Sequence, residues 1–491
     1  MNSTTRNILI VGGVAIVLLC LCLSVLLIGG SALLKPIRQV STGDSPRQNI
    51  TQEAILPKPS STAEPLLPTP TTEPTDRQDT TPAPVTTPEA TPASPSARLP
   101  ANVARQMDEI QRQVSELRGL QPLHEVRRAL LTPDQLRQRV TEDFFKDYTD
   151  DEARQDAIVL AAFGLLETNF DLNSFYVELY SEQVAGFYDE DTDEMYVVQG
   201  EGFGGLERLT YAHEYNHALQ DQTYDLNSLG MENEDCEQDS ERCAAVQAFI
   251  EGEASLVEME WFFANGSPQD LADLQSADFN FPVFESAPPF MKQDFLFPYS
   301  QGQAFVEYLK EEGGWPAVDA AYADLPVSTE QILHPERYPA DKPIPVDLPD
   351  LIAALGDGWE EYDRGVMGEW YSYLILAHGF DPRTWIDDDQ AKEAAEGWGG
   401  DAYVVYFNER TQSTTLVMKS LWESRSEAGE FNAAFRDYAS LRFGDPTADR
   451  ANLATWESAQ GYTEFHFEGD TTIWILAPDA VTAAQVWEIL R

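Results

Sequence analysis

The sequence predicts an α+β protein whose folded part begins near residue 101. Helical periodicity starts there with MDEIQRQVSELRGLQ and continues after a Thr-Pro helix start in ALLTPDQLRQRV. Nearer the C-terminus, the strand-like segments AYVVYFN, STTLVMKSLW and TTIWILAP alternate with helical segments and predict an antiparallel sheet. A Pro/Thr/Ser-rich stretch before residue 101 lacks hydrophobic periodicity, so we do not expect it to fold.

An apolar N-terminal run predicts a membrane anchor. Residues 8–34 carry no charge and exceed the roughly 20 residues that a helix needs to cross the hydrocarbon core. A cleaved signal fits poorly, because its apolar region is about 7 to 15 residues long and ends in a small-x-small site. We therefore predict a transmembrane signal anchor within residues 1–34. Arg6 before the run, and Lys35 and Arg38 after it, leave its orientation open.

The next segment predicts a linker that places the folded body outside the cytoplasm. Residues 35–100 are rich in Pro, Thr and Ser, as in disordered stalks that hold a domain away from a cell envelope. Cys236 and Cys243 lie in the polar segment CEQDSERC, at a spacing that could close a small disulfide loop. A disulfide requires an oxidising compartment, whereas two free thiols, the alternative, do not.

The charge balance excludes one class of partner. The chain has 83 acidic and 32 basic residues and a formal net charge of −51. A surface that binds phosphates needs a basic patch, and the sequence contains none. We therefore expect no nucleic-acid partner.

Two folded parts are predicted after the linker. The Pro-rich segment YPADKPIPVDLP interrupts the regular patterns and marks a boundary between residues 101–345 and 346–491. The first part contains a predicted hairpin, with strands in residues 184–188 and 195–198, followed by a helix. The second part contains the predicted sheet and is either a separate domain or a second lobe around a cleft.

The helix after the hairpin contains the segment YAHEYNHALQ. His213 and His217 are four residues apart, so both imidazoles lie on one helix face, about 5 to 6 Å apart, and can bind one zinc ion. Glu214 projects about 100° away from His213 and can reach a water molecule on that ion, as a general base does in HExxH sites. The alternative is a chance match on an amphipathic helix. Apolar residues around much of this helix predict burial, which is costly for unpartnered imidazoles and favours the metal.

A catalytic zinc site needs a third protein ligand. The metzincin pattern is excluded, because Thr223 stands where that group has its third histidine. The other common choice is a carboxylate on a second helix, and AFIEGEAS offers Glu251 and Glu253. Small residues share a helix face with Glu251 and would allow close approach of another backbone, whereas a larger apolar stripe shares the face of Glu253.

Over residues 184–260 the sequence resembles the gluzincin-type zinc metallopeptidases, in which a glutamate on a helix after HExxH supplies the third ligand. By that resemblance Glu251 matches the ligand position, since Gly252 and Ala254 follow it at the expected places. The resemblance implies a zincin-like core with an edge strand that can pair with an extended substrate. It also implies Zn²⁺ held by His213, His217 and Glu251, and peptide hydrolysis.

The connection between His217 and Glu251 is longer than in compact members of that group. We therefore expect an insertion between the two helices that carries Cys236 and Cys243.

A group that stabilises the transition-state oxyanion is also expected across the cleft. The segment PVSTEQILHPERY offers His334, Arg337 and Tyr338 for this role. The alternative is a helix capped by Ser328 that ends in a surface histidine before Pro335.

Two functions from different classes follow. The first is a membrane-tethered zinc metallopeptidase with Glu214 as general base, acting on proteins or peptides outside the cytoplasm. The second is a catalytically inactive zincin-like ectodomain with a binding or envelope-structural role. Glu214 favours the enzyme, because neither metal binding nor packing requires a carboxylate at that position. Hydrolysis of a non-peptide bond is a third and weaker hypothesis.

Overall fold

The computed structural model describes the body of the chain. The described residues are 99–139, 148–183, 186–190, 192–198, 203–231, 236, 239–277 and 280–491. The predicted anchor and residues 35–98 of the predicted linker lie outside them. Within the described ranges, no helix combines the length and the apolar character that a membrane span requires.

The N-terminal part is mainly helical, with one small sheet. Its elements, in chain order, are α1 (Ala101–Arg118), β1 (Arg127–Leu131), α2 (Pro133–Arg139), α3 (Asp150–Phe163), α4 (Leu172–Gln183), β2 (Gly186–Asp189), β3 (Glu194–Val198), α5 (Gly205–Tyr224), α6 (Ser240–Asn265), α7 (Pro268–Ser276), α8 (Pro282–Ser286), α9 (Pro289–Gly313), α10 (Trp315–Ala321) and α11 (Thr329–Leu333). A short 3-10 helix at Leu226–Leu229 follows α5.

Local sequence signals explain where several helices begin. The side chains of Thr149, Ser267 and Ser328 accept hydrogen bonds from backbone N–H groups in the first turns of α3, α7 and α11. Pro133 begins α2, as the Thr-Pro pair predicts, because proline lacks the N–H that the first helical turn leaves unpaired.

The small sheet confirms the predicted hairpin. Its strand order is β1-β3-β2, with β2 antiparallel and β1 parallel to β3. Strand β1 was not predicted from the sequence. Among the described strands β2 therefore lies at an edge, and it packs against α5.

The C-terminal part confirms the predicted antiparallel sheet. Its elements are α12 (Ile352–Leu355), β4 (Trp359–Gly365), α13 (Gly368–Ala377), α14 (Asp388–Ala395), β5 (Trp398–Asn408), β6 (Ser413–Trp422), α15 (Arg425–Phe443), β7 (Ala448–Arg450), β8 (Leu453–Ser458), β9 (Gly461–Glu468), β10 (Thr471–Ala477) and α16 (Ala480–Leu490). The strand order is β4-β5-β6-β10-β9-β8-β7 and every neighbouring pair is antiparallel.

Side chains alternate between the two faces of this sheet. Tyr403 and Val405 of β5 join the large core beneath α3, α13 and α15, whereas Val404 and Tyr406 pack beneath α12 and α16. The fold is thus a mixture of helices and strands.

The large core continues across the expected boundary near residue 345. Phe163 of α3 contacts Tyr403 of β5 and Trp474 of β10 edge to face, with ring centroids 5.2 and 5.8 Å apart. The division into residues 101–345 and 346–491 stays a prediction.

Helices α6 and α9 cross in close contact because both carry glycine at the crossing. A Cβ atom on Gly252 would overlap the backbone of Gly302, and a Cβ atom on Gly302 would overlap the carbonyl of Ala248. The glycine that follows Glu251 therefore permits the helix contact, which brings α9 over the centre of α6.

We expect Gly252→Ala to destabilise the protein by about 1–3 kcal/mol, or more, because the added methyl group forces the two backbones apart. The measurement is the free energy of unfolding of the full-length chain, from chemical denaturation. Gly429→Ala, inside α15, is the matched control: its nearest neighbour would be Phe467 at 3.9 Å, and we expect it to stabilise the protein by about 0.5–1 kcal/mol. Equal effects of the two substitutions would contradict this account of the crossing.

Candidate metal centre

The helix α5 is buried around most of its circumference. All residues from 209 to 220 are buried, as the apolar pattern predicts. At its N-terminus, the Glu207 carboxylate accepts a hydrogen bond from the Gly204 N–H at 2.9 Å. The helix α6 packs beside it and is capped by Asp239, whose side chain accepts from the Arg242 N–H at 3.0 Å. The two helices thereby bring buried polar side chains together away from water.

His213, His217 and Glu251 converge between these helices. The Glu251 Oε2 atom lies 3.2 Å from His213 Nε2 and 3.4 Å from His217 Nε2. The two imidazole centroids are 4.8 Å apart, and the side chains are at most 7% exposed. One ligand atom from each residue lies within 4.8 Å of the other two, so these three groups could hold a metal ion.

Each imidazole is oriented by a further polar side chain. His213 Nδ1 lies 3.2 Å from Glu258 Oε2, and His217 Nδ1 lies 2.7 Å from Gln220 Oε1. The Gln220 amide nitrogen donates to the Ile250 carbonyl at 3.0 Å, so its oxygen must face His217. The His217 Nδ1 atom therefore carries a proton, and the Nε2 atoms of both rings face Glu251.

Sequence reasoning missed Glu258 and Gln220. Glu258 lies seven residues after Glu251, on the same face of α6, and Gln220 lies three residues after His217, on the same face of α5. These helical spacings are the sequence signal that could have identified Glu258 and Gln220. They indicate partners of the ligand residues only once the ligands themselves are known.

Three buried atoms at this centre form no hydrogen bond among the described residues. They are His217 Nε2, Glu214 Oε1 and Glu258 Oε1. A buried polar atom without a partner is costly, and such an atom calls for a physical explanation. A cation between the imidazoles, with a water molecule near Glu214, would provide partners for His217 Nε2 and Glu214 Oε1.

Glu214 lies beside the three converging groups and is held by the edge strand β2. Its Oε2 atom accepts a hydrogen bond from the Tyr188 N–H at 3.0 Å. The carboxyl group is 1% exposed, and this burial raises its pKa. One oxygen is thus anchored while the other is available, and the group accepts a proton more readily than an exposed glutamate does.

The charges of the centre are strongly coupled. Burial opposes the charged form of His213, but hydrogen bonds with Glu251 and Glu258 outweigh it and raise the pKa of His213 to about 10. Burial also opposes ionisation of Glu251, but His217 and His213 outweigh it and lower its pKa to about 2. Burial raises the pKa of Glu258 to about 7. Without a metal, protons on the imidazoles compensate the carboxylates, so a dication would displace protons on binding.

Glu253, the other candidate ligand, is directed elsewhere. It follows Glu251 by two residues and therefore projects about 200° away around the helix. Its carboxylate lies 2.7 Å from Arg118 Nε, 2.8 Å from the Tyr322 hydroxyl and 3.2 Å from the Asn216 amide nitrogen. Of the two glutamates, only Glu251 meets the histidines.

The segment predicted to stabilise an oxyanion is also engaged elsewhere. His334 Nε2 lies 2.9 Å from Glu369, and the Tyr338 hydroxyl donates to the Asp324 carbonyl at 2.5 Å. The helix α11 before them contacts α6 through Glu241, which accepts from the Thr329 N–H at 2.6 Å.

Glu241 precedes Glu251 by ten residues, about 15 Å along the helix. The alternative interpretation, a helix capped by Ser328, describes this segment.

Arg337, the third residue proposed for that role, fills an acidic cluster. Glu330, Asp341 and Glu423 could together hold a cation. The Arg337 guanidinium lies 2.5 Å from Glu330, 3.1 Å from Glu423 and 4.0 Å from Asp341. The Arg337 guanidinium therefore supplies the positive charge among these three carboxylates.

Two buried tyrosines lie close to the centre. The Tyr299 ring centroid is 6.3 Å from that of His213. Burial raises the pKa of Tyr180, and the charges of Asp294 and Glu251 raise it further, which places this phenol within electrostatic reach of the centre. Neither tyrosine belongs to a motif, so neither could be selected from the sequence.

Cys236 and Cys243 form a disulfide, with Cα atoms 5.5 Å apart. Both residues are buried. The bond ties the connection between α5 and α6 to the first turn of α6, as the cysteine spacing allows.

Comparison with known proteins gives one match. A domain of unknown function (DUF8575) matches residues 357–487, which span the sheet from β4 to β10 and most of α16. No curated protein and no solved structure matches the chain. The matched region does not include α5 or α6.

We expect Gln220→Met and Glu258→Gln each to weaken divalent metal binding by about 10-fold to 100-fold, because they remove the partners that orient His217 and His213. Zinc affinity of the full-length protein, measured by competition with a chromogenic chelator, tests this. Gln222→Met is the control, since the Gln222 side chain lies on the same helix and accepts from the Leu123 N–H at 2.7 Å instead of contacting a histidine. Unchanged affinity in both variants would show that the two side chains do not orient ligands.

Proposed function

We propose that this protein is a zinc metallopeptidase, tethered to a membrane by its N-terminal segment, which hydrolyses peptide bonds of proteins or peptides outside the cytoplasm. The observation that carries the proposal is the convergence of His213, His217 and Glu251 in a buried site with Glu214 beside them. Binding alone would need the three ligands but not the adjacent carboxylate.

The donor set suits zinc. Two imidazole nitrogens and one carboxylate oxygen are a common ligand set of catalytic zinc, which keeps a fourth position open. The His217 Nε2 atom, which has no hydrogen-bond partner among the described residues, lies 3.4 Å from the Glu251 carboxylate. Glu258 and Gln220 supply the outer hydrogen bonds that zinc-binding histidines usually make.

When bound, zinc would polarise the scissile carbonyl and lower the pKa of a water molecule. The protein's own part begins with Glu214, whose Oε2 atom is anchored by the Tyr188 N–H while Oε1 is free to take a proton from that water. The water oxygen then forms a bond to the carbonyl carbon. Glu214 returns the proton to the departing amide nitrogen as the carbon–nitrogen bond breaks, which balances the hydrolysis.

The edge strand β2 provides a means of binding an extended substrate. In an antiparallel pair, backbone groups of alternate residues face away from the partner strand. Because the Tyr188 N–H points to Glu214, the backbone of Gly186 and Tyr188 faces away from β3. A peptide that pairs along this edge would run past the general base.

Tyr299 and Tyr180 are better placed than His334 or Tyr338 to assist the oxyanion. The Tyr299 ring lies 6.3 Å from the His213 ring and the charge of Glu251 acts on Tyr180, whereas His334 and Tyr338 follow α11, which contacts the beginning of α6. We assign this assistance to the two hydroxyl groups together.

The location follows from the N-terminal sequence and the disulfide. Residues 8–34 are long and apolar enough to span a membrane, and residues 35–98 have the composition of a stalk. The Cys236–Cys243 disulfide supports an oxidising compartment for the body. The net charge of −51 supports a protein substrate and not a nucleic acid.

We expect Glu214→Gln to reduce peptidase activity at least about 100-fold while zinc content stays at one ion per chain, because the amide cannot accept the proton of the water. Cleavage of an unbiased peptide library and metal analysis of the full-length protein in detergent measure the two quantities. Glu178→Gln, an exposed glutamate on α4, is the control and should retain activity.

Glu251→Gln should lose both zinc and activity. A wild-type protein that binds zinc but cleaves nothing, and differs in no assay from Glu214→Gln, would favour the inactive ectodomain. A folded wild-type protein without zinc would refute the metal site itself.

A further inference from the structure

A network of polar side chains, most of them buried, lies on the far side of α6 from the candidate metal centre. We call it the Arg118 network. Its members come from α1, α5, α6 and the region of α10, and they are Arg118, Asn216, Tyr224, Glu253, Asp319 and Tyr322.

Glu253 lies at the centre of the Arg118 network. One carboxylate oxygen receives Arg118 Nε at 2.7 Å and the Asn216 amide nitrogen at 3.2 Å, and the other receives the Tyr322 hydroxyl at 2.8 Å. The Glu253 side chain is 0% exposed. This one carboxylate thus joins helices α1, α5 and α6 and the end of α10.

Arg118 has contacts on every side of its guanidinium group. Its Nη2 atom lies 2.7 Å from Asp319, and its Cζ atom lies 4.4 Å from the centroid of the Trp315 ring. The Asp319 carboxylate also accepts from the Tyr224 hydroxyl at 2.7 Å, and the Tyr224 ring stacks on Tyr322 with centroids 3.6 Å apart. The cation at the C-terminal end of α1 is therefore held rigidly.

The Arg118 network connects α5 and α6, the two helices that carry the proposed metal ligands, close to those ligands. Asn216 immediately precedes His217 on α5, and Glu253 follows Glu251 by two residues on α6. Their hydrogen bond therefore ties α5 to α6 within one helical turn of the metal-binding atoms.

The helix α1 adds further bonds to α5. Gln111 donates to the Tyr211 hydroxyl at 2.8 Å, and the Ser115 and Tyr215 hydroxyls lie 3.2 Å apart.

Stability alone does not explain a buried ion pair at this place. Taking Arg118 and Glu253 out of water is costly, and well-packed apolar residues often stabilise a protein as much as a buried pair or more. Directional bonds differ from apolar packing in that they fix one spacing and one rotation of the helices they join. The pair is therefore suited to setting geometry.

We propose that Arg118 and Glu253 are positioning residues, which fix the spacing of α5 and α6 so that His213, His217 and Glu251 hold a metal ion. This inference rests on the proposed function, because it assumes that a metal binds there. It also assigns a role to α1, the helix that directly follows the predicted linker: α1 reaches the ligand-bearing helices and sets the affinity of the centre from outside it.

The test replaces the pair by apolar residues of similar length and compares stability with metal affinity. In the full-length double variant Arg118→Met/Glu253→Met, which also leaves Asn216 and Tyr322 without their carboxylate partner, we expect a lower melting temperature together with zinc binding weaker by about 10-fold or more in the folded protein. Thermal unfolding by circular dichroism and competition with a chromogenic zinc chelator give the two values. A merely structural pair would lower stability without changing the affinity of the folded protein.

The matched control is Arg337→Met/Glu330→Met, which removes another arginine–glutamate pair with a buried glutamate. That pair lies by α11, near the beginning of α6, and we expect unchanged zinc affinity. Arg118→Lys, which keeps the charge but not the fork of the guanidinium group, should fall between wild type and double variant.

If the double variant does not fold, Glu253→Gln decides the question, because it keeps the volume and one acceptor and should still weaken zinc binding. Wild-type affinity in a folded Arg118→Met/Glu253→Met or Glu253→Gln protein would overturn the inference and leave the proposed function intact. A folded wild-type protein that binds no zinc would overturn both.

Discussion

The structure around α5 and α6 depends on the sharing of one buried carboxylate by two buried imidazoles. Glu251 lies between His213 and His217, and none of the three has more than a trace of exposed surface. Burial alone would drive the histidines and the glutamate towards their neutral forms, and their mutual attraction reverses both tendencies. The surroundings are consistent with this constraint: Glu258 and Gln220 orient the rings, and the two helices exclude water. A set of charged groups of this kind is stable only while all its members stay in place.

Close packing of the helices makes the grouping of Glu251 with the two histidines possible and also restricts its geometry. Glycines at the crossing of α6 and α9 let the backbones touch, so α9 brings Tyr299 to the histidines. On another side of α6, the Arg118 network fixes α5 and α1 by directional bonds instead of packing. One side of α6 is therefore held by close backbone packing and the other side by hydrogen bonds. Glu251 lies between these two kinds of contact.

The sequence predicted many of the individual helices and strands but fewer of the contacts between them. The hairpin before α5, the helix that carries Glu251, the capping of α11 and the antiparallel sheet all follow from periodicity and turn chemistry, which act over short distances along the chain. Small residues and the spacing after Glu251 favoured it over Glu253 as a ligand, and in the structure Glu251 is the one that lies beside the histidines. Glu258, Gln220 and the partners of Glu253 could not be predicted, because their roles depend on which helices meet. The pairing of β1 with β3 and the core shared by Phe163 and Trp474 are long-range contacts of the same kind.

The hydrogen bond from the Tyr188 N–H to Glu214 links the small sheet to the chemistry of the helix. Successive residues of a strand face opposite directions, so a slip of one residue in the pairing of β2 with β3 would turn this N–H towards β3. Glu214 would then lose its anchor although no residue of the HExxH segment had changed. The register of β2 on β3 therefore determines whether Glu214 can act as an acid and a base. Register is usually considered only in terms of folding. The pairing of the two strands thus controls the position of a carboxylate more than twenty residues away along the chain.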